Sequence, residues 1–305
     1  RLVEEHRSAL YLDPDMLLLG RLDDMFDAAE ATGIALTPHV LTPLPRDGLE
    51  PAEDRIRHSG IFNLGMVAVG QGGREFLAWW AERLATEAVV DLPRALFTDQ
   101  RWVDWAPALW EPTVLRDPGL NVAYWNLHER PLNLVDGVLH AGGTRVRLMH
   151  FSGYDPSVPW QLSKHAGALP RVRLAHDPVL RSVCDAYGAA LAEQGWPARG
   201  AGYRWASTPD GVRITPAVRA ALRRACSLAA TGADSLPANA FAPGALREWI
   251  DSPAPGQWGV PVGRWALAFY ESEVGVQHHF PRLDLDDAVN YQRWLAEFPL
   301  AVAAR

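Results

Sequence analysis

The sequence predicts an α/β domain followed by a mainly helical region, and three observations carry that reading. Short apolar runs of β type alternate with segments of helical periodicity through residues 1–169. One such run, Ala9-Leu10-Tyr11-Leu12, ends on the paired carboxylates of Asp13-Pro14-Asp15. Beyond residue 170 the strand-like runs stop and helical periodicity takes over.

Taken in order, residues 9–12 read as a strand and Leu17-Leu18-Leu19 as a second short apolar piece. Leu22, Met25, Phe26 and Ala29 recur at helical spacing before Gly33 stops the helix. Ile34 to Thr37 reads as a strand ended by Pro38. Residues 38–58 carry four prolines and many charges without periodicity. A loop that long is expected to be functional or mobile. Ile61 to Val69 is strand-like, and Phe76, Leu77, Trp80 and Leu84 mark an amphipathic helix. A helix is expected from Thr98, with Asp99 able to cap it. Asn121 to Trp125 and Arg145 to Phe151 complete the strand candidates. Val179 to Leu191 and Pro216 to Leu228 read as helices joined through the Gly-rich residues 199–202, and residues 233–244 form a Pro/Gly/Ala stretch. The expected division is 1–169 for the α/β part and 170–305 for a helical appendage.

Composition bounds the function. Hydrophobic residues make up 48% and charged residues 21% of the 305, an ordinary globular balance with enough chain for a real core. A formal charge of −7 argues against general nucleic-acid binding, which needs a basic footprint. With neither a signal peptide nor a membrane-spanning apolar stretch, and with only Cys184 and Cys226, a cytoplasmic protein without disulfides is expected. The 13 tryptophans are mostly core candidates, with Trp125, Trp160 and Tyr154 as candidate walls for a sugar or base.

In an extended chain Asp13 and Asp15 face the same side, with Cα atoms roughly 6–7 Å apart. Two oxygen-rich groups aimed at one spot suit a hard cation such as Mg²⁺ or Mn²⁺. The same tripeptide also makes a good strand-ending turn.

Five motifs in order are Tyr11-Leu12-Asp13-Pro14-Asp15, Phe62-Asn63-Leu64-Gly65, Asp99-Gln100, Asn121 with Trp125-Asn126, and His150-Phe151-Ser152-Gly153 leading to Trp160. Over residues 8–165 that order resembles the GT-A glycosyltransferases, most closely the retaining glycogenin-like and lipopolysaccharide-galactosyltransferase-like group. The resemblance implies a partial GT-A (Rossmann-like) domain, truncated at its N-terminus because the nucleotide-binding strands that precede the Asp-x-Asp in the family are missing. It implies a nucleotide-sugar donor, UDP-sugar favoured, and a glycan, lipid-linked or protein acceptor. Asp13, Asp15 and His150 would hold Mn²⁺ (or Mg²⁺), with Asp13 also touching the donor. Asn63 and Gly65 would lie near the transferred sugar, Asp99 and Gln100 at its anomeric side, and Gly153 against the phosphates. The family's Lys-Pro-Trp is replaced by Val158-Pro159-Trp160, two residues further along, which leaves Lys164 as the nearest cation for the diphosphate. Two other readings compete. One is a degenerate transferase acting as a binding module. The other is a haloacid-dehalogenase-type phosphohydrolase, in which Leu17 stands where a Thr or Val is expected.

Overall fold

The computed structural model describes residues 2–196, 203, 205–229 and 231–297. The chain divides into two compact units, Arg1–Pro197 and Ala198–Arg305. The first is a mixed α/β unit built on a mixed sheet. A short helix, α1 (Leu2–Glu5), precedes β1 (Ser8–Leu12), β2 (Met16–Leu18), α2 (Asp23–Thr32) and β3 (Ile34–Pro38). Then come α3 (Glu53–Ser59), β4 (Phe62–Gly70) and α4 (Arg74–Glu87). The small strands β5 (Val89–Asp91) and β6 (Leu96–Thr98) form a hairpin, followed by a 3-10 helix over Gln100–Trp105, α5 (Ala106–Leu109) and β7 (Thr113–Val114).

The central strand is β4. Every residue of Phe62–Gly70 is buried, which only a strand covered on both faces can achieve. It pairs antiparallel with β1 and β3, and β3 pairs parallel with β7, giving the order β1-β4-β3-β7. On one face Phe62, Leu64, Val67 and Val69 pack with Phe76 of α4 and with Val103 and Ala106. Phe76 is fully buried and rings of Trp79, Trp80 and Trp110 surround it, which accounts for part of the tryptophan load. On the other face Met66 and Ala68 meet Met25 and Ala29 of α2, together with Leu120 and Leu148.

The β3–β4 ladder is irregular. Its register runs from Leu36↔Val67 to Pro38↔Phe62, so β4 takes a longer path than its neighbour around Asn63 and Gly65. Irregularities of this kind re-aim side chains beside functional sites.

Strands β8 (Leu132–Val135), β9 (Val138–Ala141) and β10 (Thr144–Arg145) make a separate meander. β11 (Leu148–His150) then pairs antiparallel with β2. Helix α6 (Pro178–Glu193) begins with Asp177, whose side chain accepts from Leu180 N–H, and with Pro178 at its first position. Its Leu180, Cys184 and Tyr187 join the core formed by Val122, Val146, Met149 and Phe151.

The second unit is helical as expected. It holds α7 (Pro216–Ala229), α8 (Ala245–Asp251), α9 (Arg264–Ser272), α10 (Val274–His279) and α11 (Asp287–Glu297). Val218, Ala221 and Ala225 recur on one face of α7 and pack with Trp249 and Trp265. The link at 199–202 and the tail at 298–305 lie outside the described residues.

The structure corrects several expectations. The division falls at residue 197 rather than 169, because the stripe Leu180–Cys184–Tyr187 can bury itself only against the first unit's core. Asp13 and Asp15 do not continue a strand. Met16 N–H bonds back to Asp13 C=O at 3.2 Å, making a tight turn with Pro14 at its first corner. Residues 121–125 are not a strand, since Asn121 is left-handed (φ +53°) and only Val122 bridges a neighbour, Met149. The segment after Thr98 is 3-10 before it becomes α-helical, and Asp99 makes no side-chain cap. The end of the 38–58 loop is helix α3. The remaining loop is fastened. Glu129 accepts from Leu41 and Thr42 N–H, and Arg171 pairs with Asp47 and donates to the carbonyls of Pro45, Leu49 and Pro51.

Candidate metal centre

The turn that displaces the expected strand also builds the site. It joins β1 of the main sheet to β2, and Asp13 N–H is held by Gly65 C=O at 2.8 Å. The β2–β11 register places His150 opposite Met16, and Phe151 N–H bonds Asp15 C=O at 2.9 Å. The sequence-distant histidine is thereby brought against both carboxylates. His150 Nε2 stands 3.1 Å from Asp15 Oδ1 and 3.8 Å from Asp13 Oδ2. One ligand atom from each of the three residues lies within 4.8 Å of the others.

These residues fit a divalent cation. Asp15 Oδ1 is buried and, despite the nearby Nε2, has no hydrogen-bond partner, so the ring is off the line for donation. An orphaned buried carboxylate oxygen is costly unless a cation satisfies it. Tyr11 Oη donates to Asp13 Oδ1 at 2.7 Å, leaving Oδ2 to face His150. That bond pushes the Tyr11 phenol up to about 12. Two carboxylates and one imidazole are a donor set that would suit Mn²⁺ or Mg²⁺, the nitrogen favouring Mn²⁺.

Around the three residues opens a cavity of about 520 Å³, lined also by Asn63, Asp99, Gln100 and Lys164. That size suits a small organic ligand. Asp99 faces it with a carboxylate that accepts from Thr98 Oγ1 at 3.0 Å. Thr98 itself is left-handed (φ +50°), an uncommon backbone for a β-branched residue. The exposed Lys164, the one lysine in the sequence, also belongs to this lining.

Asn63 and Gln100 line the cavity, yet their polar atoms are committed to protein. Gln100 Nε2 donates to Ser59 C=O at 2.7 Å, and its Oε1 accepts from Leu64 N–H and Asn63 Nδ2. Asn63 Oδ1 accepts from Asn121 Nδ2 at 2.9 Å and Gly65 N–H at 3.2 Å, and lies 3.2 Å from His150 Nδ1. Both amides therefore tie the site together. Gly153 (φ +72°) is outside the cavity lining, and a Cβ there would come within 2.5 Å of His165 Cδ2. It makes room for His165 and Ser163. Trp160 is 70% exposed and Tyr154 packs against Phe151 and Tyr187, so of the three expected aromatic walls only Trp125 lines the cavity.

Sequence reasoning missed His39, Arg55, Tyr124 and His165, all of which line the cavity. His39 is a lone histidine after a proline and carries no local signal. Burial pushes it down to about 4, so it sits neutral, its ring edge-on to Trp125 at 5.2 Å. Tyr11 was within reach of the sequence, since it lies two residues before Asp13 on a strand.

The chain matches no known family profile, and no solved structure matches it. It is similar to "Uncharacterized protein YfnF" of Bacillus subtilis (strain 168), with 26% identity over 149 residues, 47% of this chain and 48% of that protein. The chain thus spans about half the length of the curated relative it matches. Among the described residues no helix is long and apolar enough to cross a membrane.

Proposed function

We propose that the first unit is part of a metal-dependent glycosyltransferase of GT-A type that takes a nucleotide-sugar donor, a UDP-sugar being favoured. The observation that carries this reading is the convergence of Asp13, Asp15 and His150 in the lining of a roomy cavity. The ordered motifs that resemble this enzyme group support it. Asp13, Asp15 and His150 would hold Mn²⁺ or Mg²⁺, which when bound would supply Lewis-acid stabilisation to the leaving diphosphate. Lys164, which lines the same cavity, would add a point charge toward the diphosphate. Asp99, the cavity carboxylate outside the acidic turn, would receive hydrogen bonds from the sugar being transferred.

The test is calorimetric titration of UDP into the protein with and without Mn²⁺. Binding that requires Mn²⁺ and disappears in Asp15→Ala supports the reading; metal-independent binding, or none, removes it. A binding module without turnover is the second reading, favoured by solvent-exposed Trp160 in the segment that replaces Lys-Pro-Trp. Release of free sugar or its transfer from UDP-sugars separates the two.

A further inference from the structure

The polar network behind the metal centre has a direction, and the direction can be read from backbone groups whose donor or acceptor character is fixed. Gly65 N–H can only donate, so the Asn63 atom 3.2 Å away is its oxygen. Asn121 presents its Nδ2 to that same oxygen at 2.9 Å and to Thr37 Oγ1 at 3.4 Å. Turning the Asn121 amide over would set oxygen against oxygen, so its Oδ1 must face the other way. There it lies 3.2 Å from His150 Nδ1, which also sees Asn63 Oδ1 at 3.2 Å. His150 Nδ1 thus faces two oxygens that can only accept.

The far side of the network agrees. Asn63 Nδ2, necessarily a donor, reaches Gln100 Oε1 at 3.2 Å and His39 Nε2 at 3.3 Å. His39 must then accept at Nε2 and donate at Nδ1, where Ile61 C=O waits at 3.3 Å. Leu64 N–H independently fixes Gln100 Oε1 at 3.0 Å, and Ser59 C=O fixes its Nε2 at 2.7 Å. No link in this network conflicts with another; across the ring the Asp15 and Asp13 carboxylates, 3.1 and 3.8 Å from Nε2, compete for the ring proton until a cation lies between them. Asn63, Asn121 and His39 are all nine-tenths or more buried, so water does not compete for these bonds.

We infer that Asn121 and Asn63 are positioning residues that lock His150 in its Nδ1–H tautomer and so deliver a bare Nε2 to the cation. The inference rests on reading Asp13, Asp15 and His150 as a metal centre. The left-handed backbone of Asn121 belongs to this role, because asparagine tolerates that conformation while carrying the acceptor. A histidine whose other nitrogen is tied to an oxygen acceptor keeps its ligating nitrogen free and more basic.

The first test needs no metal. In ¹⁵N-histidine-labelled, metal-free protein at alkaline pH, the His150 signals, assigned by their loss in His150→Gln, are expected to show protonated Nδ1 and unprotonated Nε2. A protonated Nε2 in a neutral ring overturns the inference. The second test titrates Mn²⁺ alone into wild type, Asn121→Gly and Asn121→Asp, followed by electron paramagnetic resonance. Glycine keeps the backbone and removes the acceptor, so affinity is expected to fall about 10–100-fold and an Nε2–H population to appear. Aspartate keeps an oxygen toward Nδ1 and is expected to hold the Nδ1–H tautomer, while its second oxygen, set against Asn63 Oδ1 where the amide had donated, is expected to lower stability. Unchanged tautomer and affinity in Asn121→Gly would overturn the inference. If wild type shows the expected tautomer but binds no Mn²⁺, the metal reading falls while the lock stands.

Discussion

Gly65 lies directly against His150: a Cβ built on Gly65 would come within 2.5 Å of His150 Cε1 and 2.6 Å of the Met16 side chain. The ring can occupy its place beside the carboxylates only because position 65 carries no side chain. Gly65→Ala is therefore expected to displace the imidazole, costing about 1–3 kcal/mol of stability as an overpacked core does. Mn²⁺ affinity should fall with it by at least about tenfold. Thermal unfolding and Mn²⁺ titration of the same variant check both.

Tyr11 and Asp13 give a milder test. Tyr11→Phe removes the bond that occupies Asp13 Oδ1 and frees the carboxylate to rotate. Mn²⁺ binding should weaken by about tenfold, the scale seen for partners of metal ligands. Fold stability should change by less than about 1 kcal/mol, since Tyr11 is exposed. Asp15→Asn, which removes a ligand charge, should weaken binding far more.

His39 predicts a pH dependence. Its value in the fold, about 4, lies below the ordinary 6.5 because burial disfavours the imidazolium. As pH falls below 6.5 the unfolded chain takes up this proton first, so stability drops with falling pH. The loss accumulates between about pH 6.5 and 4 and then levels, reaching about 3 kcal/mol at 1.36 kcal/mol per unit. Urea unfolding at pH 7.5 and pH 4.5 should show most of that increment in wild type and lack it in His39→Leu.

Arg147 ties α2 to the segment before β11. It makes two bonds to Asp24, at 2.7 and 2.8 Å, and one to Asp117 at 2.6 Å, with its side chain 20% exposed. Arg147→Met leaves two facing carboxylates without their cation and should cost about 2–3 kcal/mol, below the full value for a buried pair. Denaturant unfolding with and without 0.5 M salt reads it, the variant gaining more from salt because its facing carboxylates are screened.

Elements with strong periodicity were legible in the sequence: α2, β4, α4, α6 and α7 all lie where the apolar spacing puts them. The Asp13–Asp15–His150 grouping was legible too, through motif order. What escaped were features set by tertiary context. The run 121–125 looks like a strand, but Asn121 is turned left-handed to serve the buried amide network. Asp99 has the chemistry of a cap, yet the tight 3-10 turn after it offers no amide to its side chain. Asn63 and Gln100 read as ligand groups because sequence cannot tell which amides find partners inside the protein.

The stacking of Tyr187 on Phe151, ring centroids 3.8 Å apart at 6°, sets where the first unit can be cut. A recombinant fragment ending near residue 170 would strip α6 away and leave the neighbour of His150 with a bare aromatic face. Such a fragment would invite aggregation and misreport the site as inert. A boundary after residue 196 keeps the buttress, and any assay of the isolated unit should start from there.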